Sequence, residues 1–133
     1  MISFECARLL RGAGLAWAPV SGDMFVIESP ELASEVFTVS DMTIEAHTFD
    51  TGTILGFNGT TEWALDSVAL ENALWLPRED QMRELLGDSF RSLTMVGSVF
   101  RVEIAYAGGL AHFDTADNAA DAYARALLDL MTA

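Results

Sequence analysis

Two short stretches of the sequence bring together residue types that can do chemistry. Glu45-Ala-His47 and His112-Phe-Asp114 each set an imidazole and a carboxylate two residues apart. On a β-strand, residues at that spacing share a face, so each pair offers one nitrogen and one oxygen donor to the same side. If the two strands were neighbours, two histidines and two carboxylates could ligate a divalent metal, and an open coordination position could polarise water. The competing reading is plain: exposed strand faces carry polar pairs of this kind without any ligand.

Other chemistry is excluded more firmly. All seven basic residues are arginine, so the chain has no lysine for a P-loop, for a pyridoxal Schiff base, or for the kinase and β-lactamase signatures. No G-x-S-x-G elbow is present, and no G-x-G-x-x-G follows a strand-like run. Cys6 is the single cysteine, which rules out an intrachain disulfide, suits a reducing compartment and fits a small buried hydrophobe. Glu79 and Asp80 are adjacent carboxylates, but at the start of a helix their ordinary role is to complement its dipole. No catalytic residue and no cofactor is expected, and nothing in the sequence calls for an enzyme.

Charge is the strongest compositional signal. The net charge is −13, and the excess is concentrated between Gly12 and Pro77, where ten carboxylates stand without one arginine. Such a field repels nucleic acid and anionic lipid and attracts a basic protein. Solubility alone is the simpler explanation. Arginines and a glutamate interrupt the apolar N-terminus before a signal core or a membrane span can form, which reads as a cytoplasmic location.

The elements that would position these residues follow from periodicity. A chain of 133 residues makes one ordinary domain, here 1–133. Ser3 caps a first helix to about Arg11, and Met24 to Ile27 reads as a strand. Three strands of a meander follow, the first through Phe37 and Val39, then Thr43 to Phe49, then Ile54 to Phe57. The stretch from Glu62 to Leu70 fits neither period and reads as a loop or short helix. The apolar run from Ala73 leads through Pro77, placed in the first helical turn, into a central helix with Met82, Leu85 and Leu86 on its apolar side and a stop at Gly87. Phe100, Val102, Ile104 and Tyr106 then alternate with polar or small residues in the clearest strand of the chain, and they should face the helices. Gly108 and Gly109 turn a hairpin, Leu110 to Asp114 pairs back, and a last helix runs from about Asp117 to Met131. The fold class expected is α+β: a mainly antiparallel sheet, meander plus C-terminal hairpin, with N-terminal, central and C-terminal helices packed on it.

At Val39-Ser-Asp-Met-Thr43, Gly56-Phe-Asn-Gly-Thr-Thr-Glu-Trp-Ala-Leu-Asp-Ser67 and Leu76-Pro-Arg-Glu-Asp-Gln81, the sequence resembles a family of short actinobacterial proteins commonly labelled pilus assembly protein. The resemblance runs over most of the chain. A pilus-assembly ATPase of that name is similar to MinD-type enzymes and needs a P-loop, which this lysine-free chain does not have, so the resemblance carries over no catalytic residue. The last forty residues, with Thr115-Ala-Asp-Asn-Ala-Ala-Asp121 between hairpin and helix, are also similar to the terminal unit of partial RNase-H-like antitoxins related to HicB.

Together these features favour a non-catalytic acidic interaction protein that binds a basic protein partner. Glu35 and Glu45 are the expected acidic contacts, and Trp63 and Trp75 are the aromatic ones. The tryptophans have a second reading as core or core-edge residues, since a domain of this size needs large apolar side chains. Two alternatives stay open: a small-ligand binding module, or a small metal-dependent enzyme using Glu45 and His47 with His112 and Asp114. An exposed strand edge in a short meander leaves homodimerisation open as well.

Overall fold

The computed structural model describes residues 1–32, 35–39, 44–49, 52–57 and 67–133; for 44–49, 52–57 and 67–69 the description covers the backbone alone. The fold is α+β. Three helices, α1 (Phe4–Gly12), α2 (Glu79–Leu86) and α3 (Ala119–Thr132), accompany nine described strands. The strands form three antiparallel three-stranded sheets. In contacts the chain divides into two compact units, one made of Met1–Ala16 with Pro77–Ala133 and the other of Trp17–Leu76.

The unit Trp17–Leu76 holds two of the sheets. In the first, β1 (Met24–Ile27) lies between β2 (Val36–Thr38) and β6 (Ala73–Leu76), with Phe25 opposite both Phe37 and Trp75. Phe25, Ile27, Phe37, Val39 and Ala73 form its apolar cluster, and Trp17, Leu32 and Leu70 pack on that cluster. The Phe25 and Phe37 rings stack 5.5 Å apart. In the second sheet, β3 (Ile44–Phe49) and β4 (Gly52–Phe57) make a hairpin, and β5 (Ser67–Ala69) pairs with β4. The strand through Phe37 therefore pairs back onto β1 and not onto the strand that follows it. The meander splits between two sheets. Of the stretch Glu62 to Leu70, Ser67–Ala69 is strand and Leu70 opens a short 3-10 turn, while 62–66 lies outside the described residues.

One buried acid anchors the first sheet. Asp23, just before β1, accepts hydrogen bonds at Oδ2 from the Trp17 indole N–H (2.9 Å) and the Val20 backbone N–H (3.1 Å). A carboxylate is tolerated in so apolar a place because donors surround it. Replacing Asp23 by Ala leaves those donors without an acceptor, and unfolding in urea should show a loss of about 1–3 kcal/mol.

The other unit is built around α3. Sheet β7 (Phe90–Val96), β8 (Val99–Ala105) and β9 (Ala111–Ala116) lies on one side of it, and α1 and α2 pack against it as well. Alanine at 120, 122, 124 and 126 is buried all round the helix, so neighbours approach its backbone closely. Tyr123 supplies the bulk: its ring meets Phe90 at 5.7 Å, and its hydroxyl accepts from Arg83 Nε and Nη2 at 3.2 and 3.1 Å. Asn118 caps α3 by accepting from the Asp121 N–H, and Asp121 Oδ1 in turn accepts the Ser3 N–H at 2.7 Å, which ties the start of α1 to the start of α3. Gly108 and Gly109, at φ 90° and 81°, take the left-handed backbone that the β8–β9 turn requires.

Two details of α2 differ from the sequence expectation. Pro77 stands one residue outside the helix, because Arg78 is the cap and its N–H donates to Gln81 Oε1 at 3.0 Å. The buried side is Met82 and Leu86, while Leu85 is exposed: at i and i+4 the first two lie on one line, and Leu85 falls off it.

Candidate functional site

Residues with period 2 alternate faces, and β8 fixes which face of its sheet is covered. Val102 and Ile104 are fully buried, so the face they share is the one packed under α3. In register, His112 lies opposite Ile104 and Asp114 opposite Val102. The His112-Phe-Asp114 pair is thus on the covered face, and Phe113 is on the open one, where the Arg101 guanidinium sits 4.8 Å from its ring centre. From α3, Asp129 reaches the same spot.

Three side chains converge there. His112 Nε2 is 2.9 Å from Asp129 Oδ2 and 3.3 Å from Asp114 Oδ2. One ligand atom from each residue lies within 4.8 Å of the others. Exposure is graded: the Asp114 side chain is 14% exposed, Asp129 37% and His112 39%, so the cluster is partly open to solvent. Asp114 Oδ2 is itself buried and makes no hydrogen bond. The Tyr106 ring covers the imidazole at 5.2 Å.

The electrostatics follow from crowding two carboxyls beside one imidazole. Burial, then a hydrogen bond with Asp129 and then its charge, push the Asp114 carboxyl up to about 7, while His112 and Arg125 pull the other way. Asp129 stands in the last turn of α3, which contains no basic residue; a carboxylate there opposes the negative end of the helix dipole. The Tyr106 phenol is also raised, by desolvation first and by Asp129 and Asp114 after it. At Cys6 burial is the largest influence and pushes the thiol up, which suits a packed hydrophobe.

The other residues singled out from the sequence are elsewhere. Glu45 and His47 are on β3, which pairs with β4, so they and His112 belong to different sheets and not to neighbouring strands; their side chains lie outside the described residues. Trp63 is outside them altogether. Trp75 is half-buried on β6 and stacks on Trp17 with ring centres 6.3 Å apart, and its indole N–H is buried without a hydrogen bond. Glu35 is exposed just before β2.

Glu35 has company that the sequence order hides. In an antiparallel sheet the end of β1, the start of β2 and the start of β6 meet at one end. Exposed Glu28 follows β1, exposed Glu31 and Glu35 precede β2, and exposed Glu71 precedes β6. A Glu28 N–H to Asn72 carbonyl bond of 2.9 Å holds two of these segments together. The result is a rim of four glutamates at one end of the sheet, opposite the end where Asp23 is buried.

Asp129 is the residue that sequence reading missed. It lies three residues beyond Ala126, on the line of Ala122 and Ala126, both fully buried against their neighbours. A carboxylate continuing a buried small-residue line was the available signal. Among the described residues no helix is long and apolar enough to cross a membrane. No protein-family model, no curated protein and no solved structure matches the chain.

Proposed function

We propose that this is a non-catalytic interaction protein that binds a basic protein partner through the glutamate rim of the unit Trp17–Leu76. One observation carries the reading: that unit contains ten carboxylates and no lysine or arginine, whereas the other unit sets ten carboxylates against all seven arginines. The charge imbalance thus follows the division of the fold. Four of the ten gather at one sheet end. A cationic surface would be steered there, and nucleic acid would be repelled. A lone buried cysteine agrees with a reducing, cytoplasmic setting.

The test is kinetic. With a partner recovered from the native host, the association rate should fall by about tenfold or more between low salt and about 0.5 M, and the dissociation rate should change little. Reversing Glu31, Glu35 and Glu71 to arginine should slow association while the melting midpoint stays close to wild type, because exposed charges contribute little to stability. An association rate indifferent to both salt and reversal would remove the rim from consideration and leave Trp75 and its surroundings as the place to look.

A further inference from the structure

We propose that His112, Asp114 and Asp129 form a binding site for one borderline divalent cation of the zinc or manganese type. The inference is independent of the glutamate rim, which lies in the other unit. It begins from two carboxylates crowded against one imidazole nitrogen. A neutral imidazole carries one N–H, so Nε2 can donate to one carboxylate only, yet two carboxylate oxygens stand 2.9 and 3.3 Å from it. The nearer, Asp129, takes the hydrogen bond. Asp114 Oδ2 is buried beside the same nitrogen and makes no hydrogen bond of its own.

A cation resolves that conflict with the donors already in place. Ligand atoms about 2.1 Å from a common ion and about 90–110° apart are about 3.0–3.4 Å from one another, close to the spacing found about Nε2. One nitrogen and two oxygens form a donor set that suits zinc or manganese, and the imidazole disfavours magnesium and calcium, which take oxygen ligands. The surroundings favour positive charge. Two carboxylates meet there, one of them in the last turn of α3, where the helix dipole is negative. Rigidity comes from the elements: His112 and Asp114 are two apart on a paired strand, and Asp129 is on a helix packed over it. The Tyr106 ring fixes the imidazole from one side. Three protein ligands leave coordination positions for water on the half-exposed side, so the site would bind reversibly.

Untagged protein, freed of metal by a chelator that is then removed, would be titrated with zinc chloride, manganese chloride and, as a control, magnesium chloride. One equivalent of zinc should bind, raise the melting midpoint and shift the ring resonances of a single histidine, and magnesium should do none of these. The shifted resonances should be the ones that disappear in His112→Ala. Asp129→Asn changes a half-exposed group and should weaken zinc binding at least tenfold while keeping the wild-type circular dichroism. The proposal is overturned if no stoichiometric binding is found up to millimolar zinc, or if the shifted ring belongs to His47. It is overturned equally if zinc binds with unchanged affinity to Asp129→Asn, since the ion would then sit on other carboxylates. The histidine resonance is read on the wild-type protein, so the test survives a variant that fails to fold.

Discussion

Replacing Ile104 by alanine is expected to destabilise the protein by about 2–5 kcal/mol, and replacing its neighbour Glu103 by alanine should stay within about 0.5 kcal/mol. Ile104 is completely buried in the middle strand of its sheet, between Phe90 on one side and His112 on the other, under α3. Truncation removes three carbons from a place that a packed helix and two paired strands prevent from collapsing, so a cavity term adds to the lost transfer energy. Glu103 points to the opposite face, across from Ser92 and Phe113, and keeps contact with solvent. Urea unfolding of the two variants checks both values. Losses of equal size would mean that both faces of β8 are covered.

That face assignment was legible at Val102 and Ile104 because alternation is a local property, while Phe100 is only half-buried and Tyr106, also half-buried, stands just past the end of β8. The starts of α1 and α3 were legible for the same reason. Ser3 accepts from the Cys6 N–H as a cap should, and the last helix begins at the acidic, Asn-containing turn where its sequence suggests. Pairing was harder to read. The strand at Val36–Thr38 pairs with the earlier β1, where Phe37 joins Phe25, and this choice is made by apolar contact across the sheet and not by the turn that follows the strand. The central helix misled in a smaller way: an apolar Leu85 beside Leu86 looks like core, but a helix of eight residues has room for one narrow buried line.

The candidate site divides along the same boundary. A histidine and an aspartate two apart on a strand announce a shared face by their spacing alone. Their third partner, Asp129, stands 15 residues beyond Asp114, and only the packing of α3 on β9 selects it over Asp121, the other carboxylate of the last helix. Likewise the glutamate rim unites residues near 28, 31, 35 and 71, which an antiparallel register brings together and which sequence distance separates. Asp23 is the reverse case. It reads as a turn residue before a strand, and it turns out to be a buried acceptor for Trp17 because the indole folds back over the start of β1.

A second large effect is expected from Asp114, measured in the presence of a chelator so that no metal interferes. Its carboxyl is raised to about 7, first by burial and then by the hydrogen bond and charge of Asp129. An unfolded chain would release that proton near the ordinary carboxylate value of about 4. The native state therefore holds a proton that the unfolded state has lost. The stabilisation is fully present below about pH 4, declines as pH rises, and is gone above about pH 7. Keeping the proton across that interval corresponds to about 4 kcal/mol at most. Asn is a neutral stand-in of the same shape that cannot ionise, so Asp114→Asn should resemble the protonated wild type at every pH. Thermal unfolding of both proteins at pH 5 and pH 8 should show wild type losing stability relative to the variant as pH rises. Carboxylates away from the cluster titrate in both proteins and cancel in the comparison. The same substitution should weaken zinc binding, since an amide oxygen is a poorer ligand than a carboxylate; higher stability above pH 7 with poorer zinc binding is the combination expected of a carboxyl crowded against Asp129. A difference between the two proteins that does not change with pH would mean that Asp114 is ionised in the native state throughout.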